Sequence, residues 1–343
     1  MKMKTAGLLN DLKQDRRVDL LRRTVQSLLA LFCLYAGFRF YQYYLWASGQ
    51  SDNYVLRPPS VEAFLPIGAL VNLKRLLLTG QFDPIHPAGL TIFIAALVIG
   101  LLLRKGFCGW ICPVGFASNL AESAGKKAGI LVRLPVWLDY PLLSLKYLLL
   151  FFFSYLILLK MDLAAIEDFN RSTYNLVVDA KMLYFFLTPS PLSLGIMLFL
   201  VAVSFVVRNF WCRYLCPYGA LLGLLAFCSP LAVHRKEQNC IDCGRCDRVC
   251  PGSVRVSQKK TVRTPECIGC GECVSTCPAS DCLTLGSPLR RRLPLLFLPA
   301  AVLAVFFSFY AWAVLTGHWH SALSPELMRQ IYSSIDLHQL AHP

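Results

Sequence analysis

Two cysteine phrases of identical spacing lie in the last third of this 343-residue chain. Each reads Cys-x2-Cys-x2-Cys-x3-Cys-Pro, the ligand run of bacterial two-cluster ferredoxins, in which the fourth cysteine serves the other cluster. The predicted ligands of a first [4Fe-4S] cluster are Cys240, Cys243, Cys246 and Cys277. The predicted ligands of a second cluster are Cys267, Cys270, Cys273 and Cys250. A structural zinc site is the alternative, but two tandem runs of this tight spacing favour iron–sulfur chemistry and predict electron transfer.

A second repeated phrase, aromatic-Cys-x3-Cys-Pro-x-Gly, occurs at residues 107–115 and again at 211–219. Residues i and i+4 share one face of a helix, so each phrase could present two sulfurs together. If the two copies pack about a pseudo-twofold axis, four thiols converge. These four form what we call the cysteine quartet: Cys108, Cys112, Cys212 and Cys216. We expect the proline to limit the helix and the glycine to permit a sharp exit into a loop.

Three chemistries suit such a quartet, and a purely structural role for the four cysteines is the alternative. Four thiolates would bind a soft metal ion or a further iron–sulfur cluster, or would form a redox-active dithiol couple. The alternative is that each cysteine is a small apolar residue buried at a helix end. Repetition of the whole phrase favours a functional role.

The elements that must position these cysteines are mostly apolar. The chain is 56% hydrophobic with a mean hydropathy of +0.51, which excludes an ordinary soluble globular domain. A bilayer is crossed by about 20 apolar residues, and five stretches qualify. They are residues 25–46, 87–103, 141–159, 191–207 and 293–315. A sixth stretch, 218–233, is shorter and contains Pro230, so we predict an interfacial or re-entrant segment. The basic N-terminus and the long first apolar run argue against a cleavable signal peptide.

Lysine and arginine residues predict the orientation. With a cytoplasmic N-terminus, the inside segments carry 25 of the 34 basic residues and the outside segments carry 7. This bias places the ferredoxin module in the cytoplasm and the C-terminus outside. The net charge of +14 is therefore a topology signal, and a nucleic-acid partner is not expected.

The predicted fold is an all-α integral membrane helical bundle of about five spans with a small α+β two-cluster ferredoxin-like cytoplasmic module. We expect a multi-pass protein of the bacterial cytoplasmic membrane. The predicted domains are a basic N-terminus (1–24), a membrane domain of two repeated helix hairpins (25–233), the ferredoxin-like domain (234–289), and a fifth span with an outer tail (290–343).

The two kinds of cysteine phrase together resemble the NapH/NosR/FixG group of membrane-bound polyferredoxins. The segments 57–68 and 83–88 are most similar to its YccM-like electron-transport proteins. The resemblance covers about residues 20–290 and implies electron transfer with the quinone pool and a redox partner protein. FixG-like members imply the alternative, a maturation factor that reduces a metal or a thiol. The fifth span departs from the shorter four-span pattern of the NapH branch.

A quinol site needs an apolar slot, hydrogen-bond partners for the hydroxyls and a titratable group. The outer segment 47–87 contains suitable residues, and we predict a quinol site from Arg39, Glu62 and His86. Each has a structural alternative: Arg39 reaching the interface, Glu62 as a helix-dipole partner and His86 as a helix-entry residue. The predicted function is electron transfer between the quinone pool and a redox partner through two [4Fe-4S] clusters. A redox-sensing membrane protein is a third possibility.

Overall fold

The computed structural model describes residues 2–132, 134–287 and 292–334, with side chains from Val18 onward. Helices dominate this part of the chain. They are α1 (Lys2–Ala47), α2 (Pro66–Thr79), α3 (Pro87–Leu102), α4 (Pro113–Lys127), α5 (Val136–Ser154), α6 (Leu163–Arg171), α7 (Thr173–Leu176), α8 (Val178–Leu187), α9 (Pro191–Val206), α10 (Pro217–Phe227), α11 (Arg245–Val249), α12 (Glu272–Ser275), α13 (Phe297–Leu315) and α14 (Pro325–Ser334). Shorter turns are 3-10 at Pro59–Phe64, Glu237–Asn239 and Val256–Gln258, and π at Phe107–Ile111, Tyr155–Lys160 and Trp211–Leu215.

Each of the five predicted spans corresponds to a helix, although not all of these helices are long enough to cross a bilayer. Within the described residues, two helices have the required length and apolar composition, Val136–Lys160 and Phe297–Leu315. A third span results if α8 and α9, which meet at an 80° bend, are counted as one. The helix α3 has 16 residues, fewer than the roughly 20 that a bilayer requires. The mostly helical architecture is confirmed, while five spans stay a prediction.

The segment 218–233 is divided between two elements. The helix α10 has 11 residues and ends at Phe227. The chain then enters a β-strand, β1 (Ala232–Arg235). The last span also differs from its predicted bounds, because α13 begins at Phe297, four residues after the predicted start.

The ferredoxin-like module is built on a three-stranded antiparallel sheet. The strands β2 (Thr261–Val262) and β3 (Leu283–Gly286) pair with opposite edges of β1, giving the order β2-β1-β3. Val233 in the central strand faces Val262 on one side and Leu285 on the other, and all three side chains are buried. The short helices α11 and α12 each follow a glycine in the left-handed region, which frees the chain to turn directly after a cysteine.

The described chain forms two compact units. The first unit comprises Met1–Ala30, Ala96–Leu150 and Leu200–Phe306, and it contains all the cysteines of both repeated phrases. Its buried side chains include Trp110, Leu222 and Val302, none of them exposed. The second unit comprises Leu31–Ala95, Phe151–Phe199 and Phe307–Pro343. An aromatic core that includes Tyr43, Trp46 and Tyr332 holds this unit together.

Candidate functional site

The eight ferredoxin cysteines line two separate cavities in the first unit. The first cavity is lined by Cys240, Cys243, Cys246 and Cys277. The second is lined by Cys250, Cys267, Cys270 and Cys273. Each cavity thus takes three cysteines from one phrase and the fourth from the other, the exchange that the spacing predicts. All fifteen cysteines of the chain are free thiols.

The surroundings of the second cavity suit an iron–sulfur cluster. Its remaining wall is mainly apolar, with Val254, Val256 and Leu298 among its members. Burial raises the pKa of the Cys250 thiol to about 12, and the neighbouring Cys267 adds to the effect. Thiols in such a site ionise when a cation binds to them, because thiolate is the ligand form. The Val254 N–H donates to the Cys250 sulfur over 3.4 Å, a contact of the kind that tunes cluster potentials.

The first cavity has a fifth thiol in its wall. Cys282 is 2% exposed and lines the same cavity as the first predicted ligand set. Its thiol is within hydrogen-bonding reach of Cys240 and Cys277. The spacing of Cys282 matches no ligand phrase, so spacing alone does not assign this residue to a site.

The two copies of the quartet phrase adopt the same unusual backbone. Each forms a π-turn, closed by a hydrogen bond from the Cys112 N–H to the Phe107 oxygen (2.9 Å) and from the Cys216 N–H to the Trp211 oxygen (3.0 Å). A residue in the left-handed region precedes each turn, Arg104 at φ 61° and Asn209 at φ 47°. Single π-turns of this kind are frequent at functional sites.

The proline of each phrase begins a helix, which corrects the expected exit into a loop. Pro113 and Pro217 occupy the first positions of α4 and α10, where a missing N–H costs no hydrogen bond. The following glycine permits this helix to lie against the π-turn. A Cβ at Gly115 would be 2.7 Å from the carbonyl oxygen of Cys108, closer than real Cβ atoms approach.

The four thiols of the quartet lie near enough to one another to interact electrostatically. The thiols of Cys212 and Cys216 are close enough to raise the pKa of Cys108, although burial raises it more, to about 12 in total. The Gly219 N–H donates to the Cys216 sulfur at 3.2 Å, and the Ser118 hydroxyl shares a hydrogen bond of 3.4 Å with the Cys212 thiol. Among the side chains that the structure describes, no group of three or more histidine, cysteine or acidic residues is arranged to hold a single metal ion.

The first copy of the phrase contacts the second cysteine set, and so does Arg208, just before the second copy. In the first copy, the Trp110 indole donates to the Gly269 oxygen at 3.2 Å, and Gly269 lies between the ligands Cys267 and Cys270. Beside the second copy, Arg208 donates to the Cys250 oxygen at 2.8 Å. The π-turns are therefore fixed against the loops that position the second cavity.

Replacement of Gly109 by alanine is expected to loosen this contact. A Cβ at Gly109 would lie 2.5 Å from the carbonyl oxygen of Ile268, and that backbone cannot move without displacing Cys267. Overpacking of this kind costs about 1–3 kcal/mol. We expect a lower thermal midpoint for loss of the iron–sulfur absorbance. Gly37→Ala is the control, since nothing lies within 4 Å of its Cβ position, and an equal loss in that variant would contradict the argument.

A buried ionic cluster lies in the second unit. The Arg57 guanidinium contacts Asp179 (Nε to Oδ2, 2.8 Å) and Glu62 (Nη1 to Oε1, 2.9 Å), and both carboxylates are completely buried. The His86 ring adjoins the same group, with Nδ1 at 3.3 Å from Arg57 Nη2 and 3.6 Å from Glu62 Oε1. One guanidinium therefore faces two carboxylates, and a protonated His86 imidazole would neutralise the charge of the second carboxylate.

Local geometry holds each member of this cluster. Glu62 lies in the 3-10 turn Pro59–Phe64, and its Oε2 accepts the Gly89 N–H at 3.1 Å, so it also caps α3. The Asp83 carboxylate accepts the backbone N–H of His86 at 3.1 Å and turns the chain into α3. The His86 Nε2 lies 2.8 Å from the Asn175 oxygen. Burial lowers the pKa of His86. The hydrogen bond and the charge of Glu62 raise this pKa by more than burial lowers it, so the pKa of His86 is above its usual value.

A cavity of about 800 Å³ adjoins this cluster and lies wholly within the second unit. His86 and Gly89 form part of its wall. The aromatic part of the wall consists of Phe64, Phe153, Phe169, Tyr174, Tyr184 and Phe185, and its hydroxyl groups include those of Thr188, Ser190 and Ser193. A mainly apolar cavity of this size with a few polar groups is typical of a site for a small organic ligand.

Two of the three residues predicted for this site come together and one does not. Glu62 and His86 meet in the ionic cluster. Arg39 is not among the described residues that line the cavity. Its guanidinium donates to the Gln42 side-chain oxygen at 3.4 Å. The sequence reading missed Asp179 and Tyr332, although Asp179 is an acidic residue within an apolar run. The Tyr332 hydroxyl donates to Asp179 at 2.8 Å.

Two family models match segments of the chain. A family model described as a 4Fe-4S binding domain matches residues 85–130 and again 189–236, which contain the two quartet phrases. A model described as a 4Fe-4S dicluster domain matches residues 232–278, which contain the ferredoxin cysteines.

Several known proteins are similar in sequence to this chain, one over most of its length and others over about half of it. YccM of Escherichia coli (strain K12), named for electron transport, is 40% identical over 320 residues, 90% of this chain and 89% of its own length. The protein NirI of Paracoccus denitrificans is 32% identical over 164 residues, 46% of this chain and 23% of its own length. The ferredoxin-type protein NapH of Haemophilus influenzae is 26% identical over 171 residues, 48% of this chain and 55% of its own length. No solved structure matches the chain.

Proposed function

The chain belongs to the family of membrane-associated, ferredoxin-type [4Fe-4S] electron transport proteins, and from that membership we propose that it carries electrons between the quinone pool and a redox partner protein. The predicted family is confirmed, and electron transport through iron–sulfur centres follows from it. The quinone, the partner and the arrangement in the membrane are our proposals.

The eight ferredoxin cysteines are proposed as the ligands of two clusters. Cys240, Cys243, Cys246 and Cys277 would hold the first, and Cys250, Cys267, Cys270 and Cys273 the second. Bound [4Fe-4S] clusters supply one-electron transfer. The protein keeps water from the second set with an apolar wall and tunes it with backbone N–H groups. We further propose that the cysteine quartet takes part as a third redox-active site.

The observation that supports a quinone link is the cavity with His86 in its wall. A quinol has an apolar ring and tail, two hydroxyl groups and two protons to lose. The apolar wall accommodates the ring, and the hydroxyl groups of Thr188 and Ser190 offer hydrogen bonds. The volume of about 800 Å³ lies in the range of about 300–1,000 Å³ that ligand cavities usually have.

His86 is the proposed proton acceptor. Oxidation of one quinol breaks two O–H bonds and releases two protons and two electrons. The imidazole can accept one proton at a time at Nδ1 and release each to water. The negative charge left over in the ionic cluster, together with the adjacent Glu62 oxygen, stabilises the protonated ring. The electrons go, one at a time, to the iron–sulfur centres and from there to the partner.

The arrangement in the membrane is proposed from charge bias and helix positions. The five helices α1, α3, α5 with its π-extension, α9 and α13 would cross the bacterial cytoplasmic membrane. Basic residues favour the ferredoxin module on the cytoplasmic side and the C-terminus outside. The lipid bilayer is then a partner of the chain, and nucleic acid is not.

Anaerobic mixing with a reduced quinol analogue tests this function. Purified, iron-reconstituted protein is mixed with menadiol and followed by EPR, and dithionite serves as a reductant that needs no quinol site. We expect menadiol to reduce the clusters within the mixing experiment. Reduction by dithionite but not by menadiol would contradict the quinone link. Metal or thiol reduction by the protein would then favour the maturation factor.

A further inference from the structure

Four buried arginines surround the loops of the second cysteine set. All four are at most 7% exposed. They donate to backbone or carboxylate oxygens of the segment 250–272, in these pairs: Arg104 with the Thr264 carbonyl at 2.7 Å, Arg208 with the Cys250 carbonyl at 2.8 Å, Arg213 with the Gly252 carbonyl, and Arg22 with the Glu272 side chain. Buried guanidinium groups are costly unless negative charge faces them.

Three of these arginines have a carboxylate partner, and Arg104 differs from them. The three ion pairs are Arg22 with Glu272, Arg208 with Glu122 at 2.8 Å, and Arg213 with Asp139 at 2.7 Å. Arg104 is 1% exposed and forms no ion pair with the side chains that the structure describes. Its buried Nε also has no hydrogen-bond acceptor among them. One buried cation of the four therefore lacks a counter-charge from this part of the chain.

Hydrogen bonding alone does not explain an arginine at this position. The guanidinium donates to the Ala226 carbonyl at 2.8 Å, near the end of α10, as well as to Thr264. A neutral amide side chain donates to carbonyls without burying a charge. The partial negative charge at the end of a helix offsets only part of a full positive charge. The backbone of Arg104 adds a second cost, because its φ of 61° lies in the left-handed region that non-glycine residues rarely adopt.

Arg104 lies directly against the loop of the second cysteine set. A Cβ at Gly269 would be 3.3 Å from the Cβ of Arg104, and Gly269 comes two residues after Cys267. The carbonyl of Thr264, which Arg104 contacts, precedes Cys267 by three residues. Two contacts therefore fix the arginine beside the segment that carries the second phrase.

A cluster on the second cysteine set would supply the missing negative charge. The acidic residue of the same loop, Glu266, already pairs with Lys146 at 2.7 Å. Four thiolates around a [4Fe-4S] core give the whole group a net negative charge. We infer that Arg104 is the buried counter-cation of the second cluster and that its charge raises the reduction potential of this cluster. The inference rests on the proposed ligand set and does not depend on the quinone.

Redox titration of the anaerobically reconstituted full chain, followed by EPR, tests this role. Cys273→Ser identifies the signal of the second cluster. At the midpoint potential of this cluster in the unmodified chain, Arg104→Gln should lower its ratio of reduced to oxidised form by about tenfold. That change corresponds to a potential about 59 mV more negative for a one-electron couple. The reason is that a nearby cation favours the added electron.

Two further variants separate charge from contact geometry. Arg104→Lys keeps the charge but loses the forked contact with two carbonyls, and the potential should stay near that of the unmodified chain. Arg263→Gln is the matched control, because Arg263 is exposed and lies directly before Thr264. Solvent and salt screen an exposed charge, so its removal should shift the potential far less.

Several results would overturn the role of Arg104. They are an unchanged potential in Arg104→Gln, an equal shift in Arg263→Gln, and an equal shift in Arg104→Lys. If Arg104→Gln assembles no second cluster, Arg104→Lys decides: a restored cluster supports the need for charge, and a lost one shows a structural contact only. About four irons in the unmodified chain, without the second EPR signal, would overturn the proposed ligand set itself and the counter-cation with it.

Discussion

Replacement of His86 by glutamine is expected to slow menadiol-driven cluster reduction by about 100-fold or more, the usual contribution of a positioned general base. Glutamine keeps a polar side chain of similar size but accepts no proton. Dithionite reduction should stay unchanged, since it needs neither the cavity nor the ionic cluster. Stopped-flow absorbance of the clusters under anaerobic conditions measures both rates.

The matched control is His320→Gln, which alters an exposed histidine of the same unit. Equal slowing in both histidine variants would point to a general effect of handling or stability. Full retention of the menadiol rate in His86→Gln would remove this residue from the proton path, while menadiol reduction itself would still support the quinone link.

The pH dependence of the same reaction follows from the ionic cluster. His86 must be neutral to accept a proton, so the rate should rise with pH through the pKa of this group. Burial lowers the pKa of His86, but Glu62 raises it by a larger amount, so the pKa is above the ordinary 6.5. Glu62→Gln should lower the pKa, so that the rate reaches its plateau at a lower pH than in the unmodified chain. If the pH profile of Glu62→Gln is the same as that of the unmodified chain, Glu62 does not set the pKa of His86.

Replacement of Arg57 by methionine is expected to destabilise the second unit by about 3–5 kcal/mol. The two carboxylates that Arg57 contacts are completely buried, and removal of the shared cation leaves Asp179 without its ion-pair partner and Glu62 with only the His86 imidazole. Breaking a buried pair from one side typically costs this much. Resistance to limited proteolysis, compared across denaturant concentrations in detergent, would measure the change.

Neutralising the partners tests whether charge is the cause. A triple variant with Arg57→Met, Glu62→Gln and Asp179→Asn should recover much of the loss, because no buried charge is left unpaired. Arg23→Met is the control, since its pair with Asp19 is exposed and such pairs contribute about 0–1 kcal/mol. Equal destabilisation of Arg57→Met and the triple variant would show that packing, not charge, is responsible.

Most of the predictions made from the sequence rest on local patterns. The spacing of the ferredoxin cysteines is a short-range signal, and the two cavities contain the predicted sets. Each apolar run coincides with a helix, because apolar composition is visible along the chain, although α1 begins at Lys2, far before the predicted residue 25. The quartet phrase was also visible as a repeat.

Contacts between distant segments were not predictable in the same way. Asp179 meets Arg57 across 122 residues, and no spacing rule links an acidic residue in α8 to a loop before α2. The π-turns were missed because a one-residue change in hydrogen-bond register leaves no period in the sequence. The role of Pro113 was misjudged, since a proline that ends one helix can also occupy the first position of the next.

The contacts between the quartet phrases and the second cysteine set bear on how this protein is made. Cys270 and Cys273 are buried, whereas the loop of the first set is open, with Ile241 65% exposed. Trp110 and Arg208, which lie next to apolar helices, close the loops around the second set. If the two sets hold the proposed clusters, iron delivery proteins would reach the first site on the folded protein, but the second site only before those helices have packed. We therefore expect cluster insertion at the second site to be coupled to the packing of these helices, and a ferredoxin fragment produced alone would lack the wall that encloses its second site.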